Sequence, residues 1–265
     1  MTTSTVLSSL ALARIILLTL VRCLGAFWFA PCFGNGEVSR FWRLALGLVT
    51  ATLIFPALIA HNPPLYDVDL AISFSAFLSL LVELILEALL GALVGLTLKC
   101  YFCALHLAGE LVSRVGGISV VGAFDSSLGE EASVLSRFYT FSAFLLFALC
   151  GGFELFMDGF MRLCVETPPG SAMDVQRLVP VFVATLSSAC VLALKISVPV
   201  VVTTGLLYLG IGFAGRVTPQ INLTSTSFNI GSLLTLSALS LTFGVSCLLF
   251  KEEILRFVEE LLATL

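Results

Sequence analysis

The sequence predicts an all-α integral membrane protein built from about six apolar helical blocks. Three observations carry this. The 265-residue chain is 58% hydrophobic and only 11% charged, whereas soluble domains carry roughly 25% charged residues. Its mean hydropathy is +1.09. Ala71–Ala108 and Val179–Phe213 stay apolar for far longer than the about 20 residues that span a bilayer. Each is therefore an overlong tilted helix or a pair of helices folded back as a hairpin.

Strands of a membrane barrel alternate apolar and polar residues. These blocks are continuously apolar. Backbone in hydrocarbon must satisfy its own hydrogen bonds, which leaves helices. The net charge of -4 provides no basic footprint for nucleic acid.

The first block is Val6–Ala30. It is not a signal peptide, because Met1–Leu10 has no positive charge and Arg14 and Arg22 interrupt the apolar run. Leu44–Ala60 follows a break at Pro31–Gly36, and Leu70–Ala108 follows His61-Asn62-Pro63-Pro64. Ala132–Met161 is the fourth block and ends before Thr167-Pro168-Pro169-Gly170. Leu178–Ala214 is the fifth, with Pro180 and Pro199 expected to kink or break it. Ile230–Phe250 is the sixth. Proline lacks the N–H and glycine lacks restraint, so both punctuate helices.

Residues 1–250 form one membrane domain. Residues 251–265 predict a short amphipathic helix, with Ile254, Phe257, Val258, Leu261 and Leu262 on one stripe and glutamates elsewhere. Its acidic face suits a protein partner better than anionic lipid. If six blocks cross, Arg40, Arg43, Arg114, Arg137 and Arg216 fall on one side, against Arg162, Arg177, Lys251 and Arg256. The positive-inside rule does not decide between them.

Glu83 and Glu87 share a helix face inside the third block. A carboxylate there needs protein, water or a counter-charge, and Lys195 is the candidate partner. One reading is an ion or proton relay, as in a secondary transporter for a small solute. The other is polar contacts at a helix or subunit interface. No second acidic pair and no histidine chain extends a path, and no related halves appear, which favours the second. Gly91 and Gly95 form a G-x-x-x-G step that lets helices approach closely.

The eight cysteines lie mostly in apolar segments and act as small hydrophobes. Cys100, Cys103 and His106 spread around a helix and do not converge on a metal. No nucleotide, dinucleotide or nucleophile–base pattern is present, so no catalytic activity and no cofactor are expected.

The stretch Gly109–Glu131 is the most unusual. It carries Gly109, Gly116, Gly117 and Gly122 with Glu110, Arg114 and Asp125, around an apolar run from Ile118 to Ala123. Irregular backbone at membrane depth is tolerated only inside protein or beside a cavity. The pattern fits a re-entrant or plugging loop over a conduit; an ordinary surface loop is the alternative.

Several stretches together resemble one family. Arg22 to Pro31 leads to Arg40-Phe41-Trp42-Arg43-Leu44-Ala45-Leu46. Gly91 and Gly95 precede Leu107-Ala108-Gly109-Glu110-Leu111, and Leu145–Gly152 follows in the fourth block. Gly215-Arg216-Val217-Thr218-Pro219-Gln220-Ile221-Asn222 is similar to an R-x-x-P-Q-x-N signature before the last block. In this order they resemble the SctT/FliR family of type III secretion and flagellar export-apparatus proteins.

The resemblance implies a core subunit of a protein export gate in the bacterial inner membrane, passing unfolded substrate proteins. It implies assembly with SctR/FliP-like and SctS/FliQ-like subunits, and with an SctU/FlhB-like subunit. It also implies helical hairpins within a closed cone and a gate loop. By position, that loop falls on Gly109–Asp125, with Gly116, Gly117 and Phe124 as pore-facing or hinge positions. Arg216, Pro219, Gln220 and Asn222 match the signature in a structural role. At Ser113 and Arg114–Val115 the chain departs from the acidic residue and glutamine of many flagellar members, which points toward a virulence-type system.

Overall fold

The computed structural model describes residues 2–31, 40–61, 74–117, 133–167, 169–170, 174–217 and 223–263. These form seven helices: α1 Thr2–Phe29, α2 Arg40–His61, α3 Phe74–Val115, α4 Val134–Leu149, α5 Gly152–Glu166, α6 Asp174–Val217 and α7 Leu223–Ala263. Among the described residues there is no strand. Five helices are long and apolar enough to cross a membrane, or six segments if α4 and α5 count as one broken span. The all-α, multi-pass membrane architecture expected from the apolar blocks is what the chain adopts.

Several boundaries differ from the sequence expectation. The fourth apolar block is two helices. Gly151, at φ +70°, breaks it, in the left-handed region that glycine adopts without steric cost. The Cys150 N–H still donates to the Leu146 carbonyl, closing α4. The third block does not stop at Ala108 but runs on to Val115. Gly109, Glu110 and Arg114 are therefore helical rather than part of a loop. Pro180 and Pro199 do not interrupt α6; each removes only one backbone donor from a long helix. Likewise α7 passes Lys251 without a break and continues to Ala263.

The chain divides into two compact units. The first holds α1, α2, the first part of α3, α5 and the start of α6. Here α1 and α3 run parallel, since Arg14 meets Glu83, Arg22 meets Glu87 and Ala26 meets Gly95. The intervening α2 returns the chain, with Gly47 against Leu24 of α1. Leu18, Phe27, Ile54, Leu58, Leu90, Leu98 and Phe160 fill the core. Phe27 stands edge-on to Phe156 and Phe160, with ring centroids 6.4 and 6.2 Å away.

The α1–α3 crossing is possible only because three positions lack a side chain. A Cβ on Gly91 or Gly95 would overlap the carbonyl of Arg22 or of Ala26, and one on Gly25 would lie 2.7 Å from the Ala88 carbonyl. Small residues spaced four apart give this backbone approach.

The second unit holds the end of α3, α4, most of α6 and α7 to Arg256. Tyr101, Phe102, Tyr139, Phe147, Leu192, Ile196, Val200 and Phe250 make its core. Phe102 is edge-on to Phe147 at 5.4 Å and to Phe250 at 5.9 Å. Both units leave long apolar faces open, including Leu53, Phe77 and Ile85 in the first and Leu206, Phe213 and Leu241 in the second. Surface of this kind is stable only under lipid or another protein.

Candidate functional site

Three polar constellations stand out against the apolar helices. The first lies in unit one and joins α1, α3 and the turn after α5. Arg22 and Glu87 are 1% and 2% exposed. The Arg22 Nε donates to Glu87 Oε2 at 2.5 Å, and its Nη1 donates to the Thr167 carbonyl at 2.7 Å and to Thr167 Oγ1 at 3.1 Å. Glu87 Oε1 accepts from the Gly170 N–H at 2.8 Å. The Thr167 hydroxyl donates in turn to the Leu163 carbonyl. One turn earlier on α3, Glu83 accepts from Arg14 Nη2 at 2.6 and 2.5 Å.

This arrangement corrects the expected pairing of Glu83 and Glu87 with Lys195. Each glutamate has its own arginine on α1, and Lys195 contacts Glu253 instead. A buried charge is tolerable only when paired and hydrogen-bonded. The cluster meets that condition at Arg22 Nε and Nη1 and at both Glu87 oxygens, while the buried Arg22 Nη2 is left without a hydrogen-bond partner; it pins Thr167 and Gly170 to two helices. It offers no continuing chain of carboxylates for a relay. Two signals for it were present in the sequence: two arginines in the first apolar block, and two glutamates in the third, each needing a partner. Thr167 gave none.

The second constellation lies in unit two, where α3 ends. The Gly109 site is closed by α4: a Cβ there would lie 2.5 Å from the Ser136 Cα. Glu110 Oε1 accepts from the Ser133 N–H at 2.8 Å. Ser133 caps α4, its hydroxyl accepting from the Ser136 N–H at 3.1 Å. A Cβ on Gly116 would meet the Thr235 side chain of α7 at 2.7 Å. Arg114 is exposed, with a loose contact of 3.6 Å to Glu110. Gly117 takes φ +72° and turns the chain out of the helix. The residues on either side of the 118–132 segment are thus fixed to the same scaffold. Ile118 and Phe124 lie outside the described residues.

The third constellation is Lys195 with Glu253 and Arg256. Lys195 Nζ is 3.7 Å and Arg256 Nη1 3.6 Å from Glu253 Oε1. The Glu253 carboxylate is buried, and its Oε2 has no hydrogen-bond partner.

The remaining candidates separate. Gly91 and Gly95 lie against α1 as described. In the 100–106 stretch, Tyr101 and Phe102 are buried, Cys103 is exposed, and His106 Nδ1 is 3.3 Å from Thr140 Oγ1. Among the described residues no group of histidine, cysteine or acidic side chains is placed to hold a metal. Arg216 is exposed in the last turn of α6; Pro219, Gln220 and Asn222 lie outside the described residues.

The family described as bacterial export proteins, family 1, matches residues 13–257. The flagellar biosynthetic protein FliR of Pectobacterium carotovorum subsp. carotovorum is 27% identical over 249 residues, 92% of this chain and 89% of the relative. FliR of Bacillus subtilis is 24% identical over 210 residues, 78% of this chain and 77% of the relative. The surface presentation of antigens protein SpaR of Shigella flexneri is 24% identical over 237 residues, 88% and 86% of the two chains. With a match across nearly its full length and a wholly helical membrane architecture, the chain belongs to the bacterial export proteins, family 1, the SctT/FliR family of the type III export apparatus.

Proposed function

We propose that the chain is a core, non-enzymatic subunit of the type III export gate in the bacterial inner membrane, forming part of the conduit for unfolded substrate proteins. The observation that carries this is the family match over residues 13–257. The geometry supports it against a solute carrier, because the intramembrane glutamates are closed off by Arg14 and Arg22. In this reading the long apolar faces are covered by SctR/FliP-like and SctS/FliQ-like subunits, with an SctU/FlhB-like subunit alongside. The departure at Ser113 and Arg114 supports a virulence-type system over a flagellar one.

The gate element is the segment after α3, with Gly116, Gly117, Ile118 and Phe124 as its working positions and Gly109, Glu110 and Arg114 as its mount. Support comes from the clasp between Glu110 and Ser133 and from the turn at Gly117. A mount of this kind ties the end of α3 to the start of α4.

Cross-linking tests it. Single cysteines at positions 116 to 124 should form adducts with an export substrate stalled in transit. Adducts elsewhere in the chain, with none in this segment, remove the gate assignment. Native mass spectrometry after gentle detergent extraction should find the chain within a large hetero-oligomer.

A further inference from the structure

We infer that the outward faces of α2 and of the first part of α3 are covered by lipid, with phospholipid headgroups at one level marked by Trp28, Trp42 and Lys99. The inference stands apart from the export-gate reading; it reserves one open apolar face for lipid and leaves the others to partner subunits. The chain has two tryptophans. Both are exposed, Trp28 by 44% and Trp42 by 61%. Packing against α1 sets their height. Gly47 of α2 lies against Leu24, and Gly95 of α3 lies against Ala26. At about 1.5 Å of rise per residue, these contacts bring Trp28, Trp42 and Lys99 within about one helical turn of a common level. Phe41 is exposed beside Trp42, with ring centroids 6.3 Å apart. Lys99 is exposed, with no ion-pair partner among the described residues. Arg43 is half-buried on the same turn of α2, and Glu154 of α5 is exposed near this height. Arg40 and Glu37 are close in sequence, and Glu37 lies outside the described residues. The level thus joins exposed rings to charges of both signs, as the membrane–water interface does.

Away from this level, the open surface of both helices is apolar. Leu48 and Leu53 are exposed on α2, and Phe77, Leu81, Ile85 and Leu89 on α3. Residues 44–58 include no charge, and residues 77–98 include only Glu83 and Glu87. Both glutamates are closed by arginines of α1. Residues 77–98 rise about 32 Å and residues 42–61 about 29 Å, against about 30 Å of hydrocarbon. A partner protein imposes no such length, whereas a bilayer does, and two helices match it independently. Past the far end the sequence turns polar again, at Asn62, Asp67 and Asp69. The α5 side differs. This helix lies against α1 through Phe156 and Phe160, within the same span of heights. Glu154, Asp158, Arg162 and Glu166 are nevertheless exposed along it. Charges so placed need water or polar protein, so lipid covers one side of the unit only.

The test uses the wild-type chain, co-expressed with the other export-apparatus proteins and reconstituted in vesicles of phosphatidylethanolamine and phosphatidylglycerol. Trace phospholipid carries a photoreactive diazirine, either at an acyl-chain end or on the headgroup, and mass spectrometry maps the labelled residues. The chain-end probe should label residues 48–53 and 85–89. The headgroup probe should label residues 41–43 and the turn around Lys99. Neither should label residues 158–166. Lys99→Gln should lower headgroup labelling around position 99 about fivefold, and Lys99→Arg should keep it at the wild-type level. Chain-end label missing from both helices overturns the inference and assigns the face to a protein partner, with the export-gate reading intact. Chain-end label as strong at Trp42 as at Leu53, or label along α5, overturns the placing of the boundary. Headgroup labelling unchanged in Lys99→Gln removes the charge contact. A chain that takes no chain-end label at any position removes the membrane reading as well.

Discussion

The two units use the same residue types in opposite ways. In the first, Arg22 and Glu87 are enclosed and meet backbone groups of a neighbouring turn. In the second, Lys195 and Arg256 are largely open and share one carboxylate. The glycines of the α1–α3 crossing and those on the open helix faces of the second unit differ in the same way. Gly25, Gly91 and Gly95 are pressed against backbone, whereas a Cβ on Gly205, Gly210, Gly212 or Gly244 would meet nothing within 4 Å. Glycine inside a helix costs roughly 1 kcal/mol relative to alanine. The enclosed set offsets that cost by letting α1 and α3 touch; the open set brings no such return within this chain. Polar and small residues thus hold the first unit together; in the second, Gly109, Gly116 and Glu110 do the same where α3 ends, while Lys195, Arg256 and the four open glycines stand on its outside.

The sharpest way to break this contrast is to remove one partner of the enclosed pair. Arg22→Ala leaves Glu87 buried and unpaired, which costs roughly 3–5 kcal/mol. A large fall in the folded fraction, measured by denaturant titration in mild detergent, is expected. Lys195→Ala should change the same titration of the chain alone by less than about 1 kcal/mol. Equal losses for the two would erase the distinction.

The glycines provide the next test. Gly91→Ala places a methyl against the Arg22 carbonyl, and overpacking of this kind costs roughly 1–3 kcal/mol. Gly212→Ala should be neutral or stabilise the chain by up to about 1 kcal/mol. The smallest effect belongs to Asp158→Asn. Its ion pair with Arg162 at 3.0 Å is solvent-exposed on α5, so a change within about 0.5 kcal/mol is expected.

The helical membrane architecture was legible because hydropathy reports burial over long windows. The Gly91–Gly95 step was visible from its spacing alone. Other features depended on what each residue meets in space. Gly109 reads as a helix terminator, yet it sits mid-helix because the Ser136 backbone of α4 leaves no room for a side chain. The break at Gly151 was hidden inside a continuous apolar run, which carries no record of chain direction. Pairing was the hardest to foresee. Glu87 and Lys195 are both lone charges in apolar blocks, and only tertiary structure assigns one to Arg22 and the other to Glu253. The mount at Glu110 lay within the stretch singled out, but its hydrogen bond to Ser133 required the fold.

The Arg22 cluster also constrains how the protein is made. Its guanidinium is separated from Glu87 by 65 positions and from Thr167 by 145. At roughly 5–20 residues per second of translation, the arginine waits roughly 3–13 s for its carboxylate and roughly 7–30 s for its last acceptor. During that interval a greasy nascent helix carries two uncompensated positive charges, Arg14 and Arg22. Such a helix is a poor resident of hydrocarbon until its companions emerge from the ribosome. Its two arginines are costly in hydrocarbon until counter-charges arrive, and α3 is the element that carries both of them, Glu83 and Glu87.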